Sequence, residues 1–222
     1  MTESHPKSYA ITLLRHGESI GNLESRWQGQ SDFPLTETGR AQAQALADRW
    51  KKEGEGFDLV ITSPLSRARE TADIIGRAVG APVEEDSLWL ERNIDELSGL
   101  TPPEVDKRFP RPDFINPYSA VGSRGEGDWQ LFLRGGLGLH NLLRRTPGRY
   151  LIVSHGGLLN QVLHAVVGIA PQANNAGPRF RFSNTGFARL VYYPHQHRWT
   201  IDRLNDRAHW SSAKGNDPGE RD

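Results

Sequence analysis

The sequence predicts an α/β fold: a three-layer sandwich with a mostly parallel central sheet, helices on both faces and an antiparallel part near the C-terminus. Three observations lead there. Runs at residues 9–14, 57–62 and 150–154 are predominantly apolar, with the length and β-branched content of buried strands. Segments of helical periodicity separate them, the alternation that builds a parallel sheet covered on both faces. Further β-rich runs at 180–182, 188–193 and 197–204 follow one another closely and supply the antiparallel part.

The elements follow in order. The first strand, 9–14, ends in Arg15-His16-Gly17-Glu18-Ser19. Residues 20–34 are polar and irregular, a long loop at the carboxyl end of that strand. Thr36 caps a helix over about 38–52, with Ala41, Ala45, Leu46 and Trp50 as its apolar face and Gly54 and Gly56 at its end. Strand 57–62 stops at Ser63-Pro64, and the proline suits the first turn of a helix running over about 65–79. A short strand over 83–90 leads into Glu91. From 101 to 127 prolines and glycines accumulate, and this stretch is expected to be a lid or wall over a site. Helical periodicity returns over 128–145 through Leu131, Phe132, Leu139, Leu142 and Leu143, with Trp129 and Phe132 as core residues. Pro147-Gly148 breaks it before strand 150–154. Gly156 and Gly157 then open a helix with Leu159, Val162, Leu163, Val166 and Val167 on one face.

No linker separates two folding units. A single domain over 9–210 is expected, with a flexible N-terminus over 1–8 and a disordered tail over 211–222. The 222 residues carry 27 Lys plus Arg against 27 Asp plus Glu, so nothing in the overall field points to nucleic acid or an acidic membrane. Cysteine is absent, which excludes disulfides, thiolate metal sites and cysteine nucleophiles. The N-terminus lacks an apolar signal core and no run approaches a membrane span, so a cytoplasmic protein is expected.

Three strand ends carry the chemistry. Arg15 supplies a rigid, permanently charged fork suited to phosphate, and His16 an imidazole that is partly unprotonated at neutral pH. Gly17 removes a Cβ where a ligand would approach the backbone. The second end carries Ser63-Pro64-Leu65-Ser66-Arg67, a cation one turn into a helix, and the third carries Ser154-His155-Gly156-Gly157. As parallel neighbours these ends converge on one edge of the sheet. The helix N-termini after Ser63 and His155 are then expected to add amide N–H groups for an anion. Two arginines, two histidines and helix amides read as a pocket for a dianion. His195 and His197 are spaced like a metal pair, but no third ligand lies near them in sequence, so no metal site is expected.

The chain resembles the histidine phosphatase superfamily, with its phosphoglycerate mutase-like fold. The resemblance spans about residues 9–209 and rests on six segments in order: Leu14-Arg15-His16-Gly17-Glu18, the stretch from Asp32 to Ala43, Ser63 to Ala72, Glu91 with Leu97-Ser98-Gly99-Leu100, Ser154-His155-Gly156-Gly157, and Asn205-Asp206 with His209. It implies that His16 is a nucleophile that becomes phosphorylated. It implies too that Arg15, Arg67, His155, Asn22 and Gly156 hold the phosphoryl oxygens. Glu91 resembles the residue that protonates the leaving group, although Asp95 and Glu96 are near neighbours of the same type.

Mutases and phosphatases of the family share the phosphohistidine step. The mutases resemble this chain at Glu91-Arg92, where the arginine would hold a substrate carboxylate. They carry a tyrosine and a lysine where this chain has Ile94 and Pro102, and a longer insertion before the second histidine. Both departures favour a phosphatase with a short, prolyl lid. The glycine that commonly follows the general acid by four residues is Asp95 here, a carboxylate that could repel a dianionic substrate. The expected activity is hydrolysis of a small phosphorylated metabolite without metal or cofactor. The alternatives are a phosphoglycerate mutase-type phosphotransferase primed by 2,3-bisphosphoglycerate or another donor, and a catalytically idle binding module. No nucleic-acid or membrane partner is expected. Oligomeric state is not legible in the sequence, and a homodimer stays open.

Overall fold

A computed structural model describes residues 8–210. The flexible N-terminus and the disordered tail expected from sequence lie, except for Ser8, outside the described residues. The elements in chain order are β1 (Tyr9–Arg15), α1 (Ile20–Leu23), α2 (Glu37–Glu53), β2 (Leu59–Thr62), α3 (Ser66–Val79), β3 (Val83–Glu85), α4 (Pro102–Arg108), α5 (Asp128–Leu143), β4 (Arg149–Ser154), α6 (Gly156–Val167), β5 (Phe187–Tyr193) and β6 (Arg198–Asp206). Short 3₁₀ turns cover Ser87–Trp89, Asp95–Leu97, Ala173–Asn175 and Pro194–Gln196.

The six strands form one sheet in the order β3-β2-β4-β1-β5-β6. The pairs β3–β2, β2–β4 and β4–β1 are parallel, while β1–β5 and β5–β6 are antiparallel. Alternate residues of each central strand serve opposite cores, because successive side chains of a strand point to opposite faces. Ile11 and Leu13 of β1 with Tyr150 and Ile152 of β4 pack against Leu131, Leu139 and Leu142 of α5 and Leu159, Val162 and Leu163 of α6. Leu14, Val60, Leu151 and Val153 face Leu46, Ala47 and Trp50 of α2 and Ala68, Ala72 and Ile75 of α3. Two helix layers around a mixed sheet make the predicted three-layer α/β sandwich.

Several elements differ from the sequence reading. Residues 83–90 are a strand only to Glu85, because the Asp86 carboxylate accepts from the Leu88 N–H at 2.9 Å and turns the chain. Pro64 stands outside α3, whose N-cap is Leu65. Within the loop at 20–34, Ser19 and Asn22 form a capping box that starts the single turn α1. Residues 180–182 are not a strand. The Phe180 N–H donates to Asn160 Oδ1 at 2.8 Å and the Phe182 carbonyl accepts from Arg15, so side chains take the backbone groups a ladder would use. The 101–127 segment contains α4, started by Thr101 and Glu104, and a tail held at several points. Glu96 accepts from the Ser123 N–H at 3.0 Å, and Ile115 and Asn174 exchange bonds of 2.7 and 2.8 Å.

Candidate active site

The register of the sheet brings the three strand ends together. Arg15 pairs with Ser154, and Thr62 with Val153, so β1, β4 and β2 finish level with one another. His16 is only 3% exposed. Its Nδ1 lies 2.6 Å from the Gly17 carbonyl oxygen. A carbonyl can only accept, so Nδ1 carries the proton and Nε2 keeps its lone pair. Burial, then the positive charges of Arg67 and Arg15, hold the imidazole well below 6.5 against the pull of that carbonyl, so it is neutral at pH 7. The His16 main chain is held as well: its N–H donates to Ser154, and its carbonyl accepts from Asn184 Nδ2 at 3.0 Å and the Thr185 N–H at 3.3 Å.

His155, fully buried, stands across from it with ring centroids 5.1 Å apart. Its Nε2 bonds the Ser63 hydroxyl at 2.8 Å, while its buried Nδ1 has no partner among the described residues. Burial, with Arg67, His16 and Arg15 adding, also keeps this ring well below 6.5. Arg67 is 1% exposed. It donates from Nη1 to the Ser31 carbonyl and from Nη2 to the Gly29 carbonyl, both at 2.8 Å, and its Nε has no partner among the described residues. Burial brings this guanidinium down to about 10, against the favourable charges of Glu91 and Asp32. Arg15 donates to the Phe182 carbonyl at 2.8 Å and passes beside Gly156, where a Cβ would stand 3.7 Å from its Nε.

At both helix starts the chain's own carboxylates take amides that the sequence reading left for an anion. The Asp32 carboxylate accepts from the Ser66 N–H of α3 at 2.8 Å. The Glu91 carboxylate accepts from the Gly157 and Leu158 N–H groups of α6, both at 3.2 Å, and from the Arg92 N–H at 2.8 Å. The chain's own carboxylates therefore take the positive ends of both helices. The cationic character of the site comes from the Arg15 and Arg67 side chains.

Asn22 is oriented by its neighbours. Its Oδ1 accepts from the Ser19 hydroxyl at 2.9 Å and from Asn184 Nδ2 at 3.2 Å, which leaves its NH₂ group available as a donor. Arg92 departs from the sequence reading. Its Nη2 bonds Asp128 at 2.6 Å and its Nη1 the Glu126 carbonyl at 3.4 Å, so its head group is engaged in joining the Glu91 segment to α5. Asp95 departs too: its carboxylate accepts from the Arg124 N–H at 2.9 Å. Its φ of 50° is left-handed, which accounts for a glycine being common at this place. Gly17 does not make room for a ligand. A Cβ there would lie 2.4 Å from the Gly39 carbonyl oxygen, so the glycine serves the crossing of two backbones.

Sequence reasoning missed Ser63 as the partner of His155, Asn184 and Thr185 behind His16, and Arg134, which holds the Glu91 segment. Ser63 had a signal in its place at a strand end. The others are far in sequence from what they hold, and nothing local marks them. No three His, Cys, Asp or Glu side chains gather as a metal site would require among the described residues, and no helix among them is long and apolar enough to cross a membrane.

The chain matches the profile of the histidine phosphatase superfamily (branch 1) over residues 11–207. It is 34% identical over 211 residues to a Yersinia enterocolitica protein described as probable phosphoglycerate mutase GpmB, covering 90% of this chain and 94% of the relative. It is 30% identical over 203 residues to the Bacillus subtilis uncharacterized phosphatase PhoE, covering 91% and 97%. Among solved structures, a mycobacterial glucosyl-3-phosphoglycerate phosphatase in complex with VO3 superposes with a TM-score of 0.75 at 29% identity, covering 89% of this chain and 98% of that one.

Proposed function

The chain belongs to the histidine phosphatase superfamily, and from that premise we propose that it is a metal-independent phosphomonoester hydrolase acting through phosphohistidine at His16. The observation that carries this reading is the 2.6 Å bond from His16 Nδ1 to the Gly17 carbonyl, which leaves a bare, neutral Nε2 among cations. Nε2 attacks phosphorus in line and the ester P–O bond breaks. Glu91, protonated, gives its proton to the departing oxygen, and an alcohol leaves. A water then attacks the phosphohistidine, the P–N bond breaks, and Glu91 takes the proton from the water. Inorganic phosphate is the second product.

Arg15, Arg67, His155 and the NH₂ of Asn22 surround the phosphoryl oxygens. They offset charge that grows in the transition state, where preorganised donors contribute most. His155 has its unpartnered Nδ1 for this purpose, with Nε2 fixed by Ser63. Buried Arg67 and half-buried Arg15 supply charge that other phosphoryl-transfer sites obtain from a divalent ion.

Hydrolysis is favoured over phosphotransfer to a second hydroxyl by the state of Arg92. Its ion pair with Asp128 removes the clamp that a phosphoglycerate carboxylate would need. Ile94, at the place of the mutase tyrosine, is buried beside Leu97 and Val105. The substrate class is a small phosphorylated metabolite. The test is phosphate release from a panel of phosphomonoesters in EDTA, by the wild type and by His16→Ala. Turnover that persists in EDTA and vanishes with His16 supports the hydrolase. Label trapped on His16 from a bisphosphorylated donor, with no phosphate released, would overturn it in favour of the mutase.

A further inference from the structure

We propose that Arg134, together with Glu126, is a positioning residue that aims the Glu91 carboxylate; this rests on the reading of Glu91 as general acid. The segment that carries Glu91 has little regular structure of its own. Between the 3₁₀ turns Ser87–Trp89 and Asp95–Leu97 it runs free of the sheet, so its carbonyl groups need partners from elsewhere.

Arg134 of α5 provides most of them, and Gln30 Nε2 adds a second bond, of 2.9 Å, to the Glu91 carbonyl. Arg134 donates from Nη1 to the carbonyls of Leu88 at 2.9 Å and Leu90 at 2.7 Å, and from Nη2 to that of Glu91 at 3.0 Å. Its two other N–H groups go to Glu126, Nε to Oε1 and Nη2 to Oε2, both at 2.7 Å. All five donors of the guanidinium are spent, three of them on carbonyls of one short segment, 88–91. Glu126 continues the grip on the far side of Glu91. Its Oε2 accepts from the Asn93 N–H at 2.8 Å, and its own N–H donates to the Asn93 carbonyl at 2.7 Å.

An ion pair that merely tied α5 to the end of the 101–127 segment would need Glu126 alone. The three extra bonds all fall at Glu91 and the residues just before it. Glu91 is thereby fixed at its main chain from both sides, and its carboxylate reaches the α6 amides from a rigid base. A displacement of about 1 Å in a reacting group can cost about a hundredfold in rate. Neither Arg134 nor Glu126 touches the reacting atoms. A lysine would keep the charge but could not span three carbonyls and a carboxylate, since that takes a planar fork.

The test compares kcat/KM for p-nitrophenyl phosphate, whose leaving group departs without a proton, and for an alkyl phosphate, whose leaving group requires one. This constant reports only steps through the first phosphoryl transfer, so the later hydrolysis of phosphohistidine does not enter. Arg134→Lys and Glu126→Gln are expected to lower the alkyl-to-aryl ratio at least tenfold. Because it is a ratio, partial unfolding of a variant leaves it unchanged. In a Glu91→Gln background, Arg134→Lys should lower the ratio no further. A selective loss with Glu91→Gln but an equal loss on both substrates with Arg134→Lys would overturn the positioning role alone. An equal loss with Glu91→Gln would overturn the acid itself, and the inference with it.

Discussion

A Cβ on Gly157 would lie 2.6 Å from Oε1 of Glu91, so the carboxylate fills the volume that any other residue there would need. The Gly157 N–H donates to the other oxygen of the same carboxylate at 3.2 Å. Gly157→Ala therefore displaces the end of a side chain, not a backbone. The fold should tolerate this at a cost of about 1 kcal/mol or less, while kcat/KM for alkyl phosphates falls about 10- to 100-fold. Thermal melting and steady-state kinetics on the same preparation separate the two effects. Unchanged activity would mean that Glu91 has no fixed seat on α6.

Gly17 and Gly39 pose the opposite case. A Cβ on Gly17 would stand 2.4 Å from the Gly39 carbonyl oxygen, and one on Gly39 2.0 Å from the Glu18 carbonyl oxygen. Both neighbours are main chain, so no rotamer change relieves the clash. Gly17→Ala and Gly39→Ala should each cost about 3 kcal/mol, at the upper end of ordinary overpacking. Denaturant titration checks this, and a loss below about 1 kcal/mol would show that the two segments can part freely.

Those glycines mark where the sequence stops being legible. The strand ends at Arg15, Ser63 and Ser154 were readable because apolar runs and the turn residues that stop them are local signals. Their convergence then follows from parallel neighbours, as the Arg15–Ser154 register bears out. What fills the helix starts is not local: Asp32 caps α3 across 34 residues, and Glu91 caps α6 across 66. Arg134, too, carries no local mark on its leucine-rich helix, and only the fold brings it to the Leu88, Leu90 and Glu91 carbonyls. Asp95 misled for another reason: its side chain suggested charge repulsion, whereas its left-handed backbone is what the position selects for.

Arg67 should be irreplaceable by lysine. Two of its nitrogens hold the Ser31 and Gly29 carbonyls while Nε is left over, an arrangement that requires a fork. Arg67→Met is expected to lower kcat/KM by about 10²- to 10³-fold, the usual cost of losing one preorganised donor, and Arg67→Lys should recover less than a tenth of that loss. Full recovery by lysine would reduce its role to that of a point charge.

His209 should make the fold acid-sensitive. The Thr185 hydroxyl donates to the Asn184 carbonyl at 2.8 Å, so it must accept from His209 Nε2–H at 2.9 Å. Burial, with the positive charge of Arg49, pushes this imidazole down to about 4, although Asp206 pulls the other way. The unfolded chain binds its proton near 6.5, so between 6.5 and 4 the unfolded state holds more protons than the native one. Stability from this group is then whole above 6.5 and declines as the pH falls, by about 1 kcal/mol at pH 5 after allowance for solvent screening of a partly exposed ring. His209→Gln keeps a donor for Thr185 but cannot take up the proton. At pH 7 the variant should be less stable by about 1 kcal/mol, the typical worth of a hydrogen bond altered in geometry. By pH 5 that deficit should be largely gone, because only the wild type has lost the His209 contribution. Urea titrations at pH 7, 6 and 5 measure the difference, and one that stays constant across the three would show that His209 takes its proton as readily folded as unfolded.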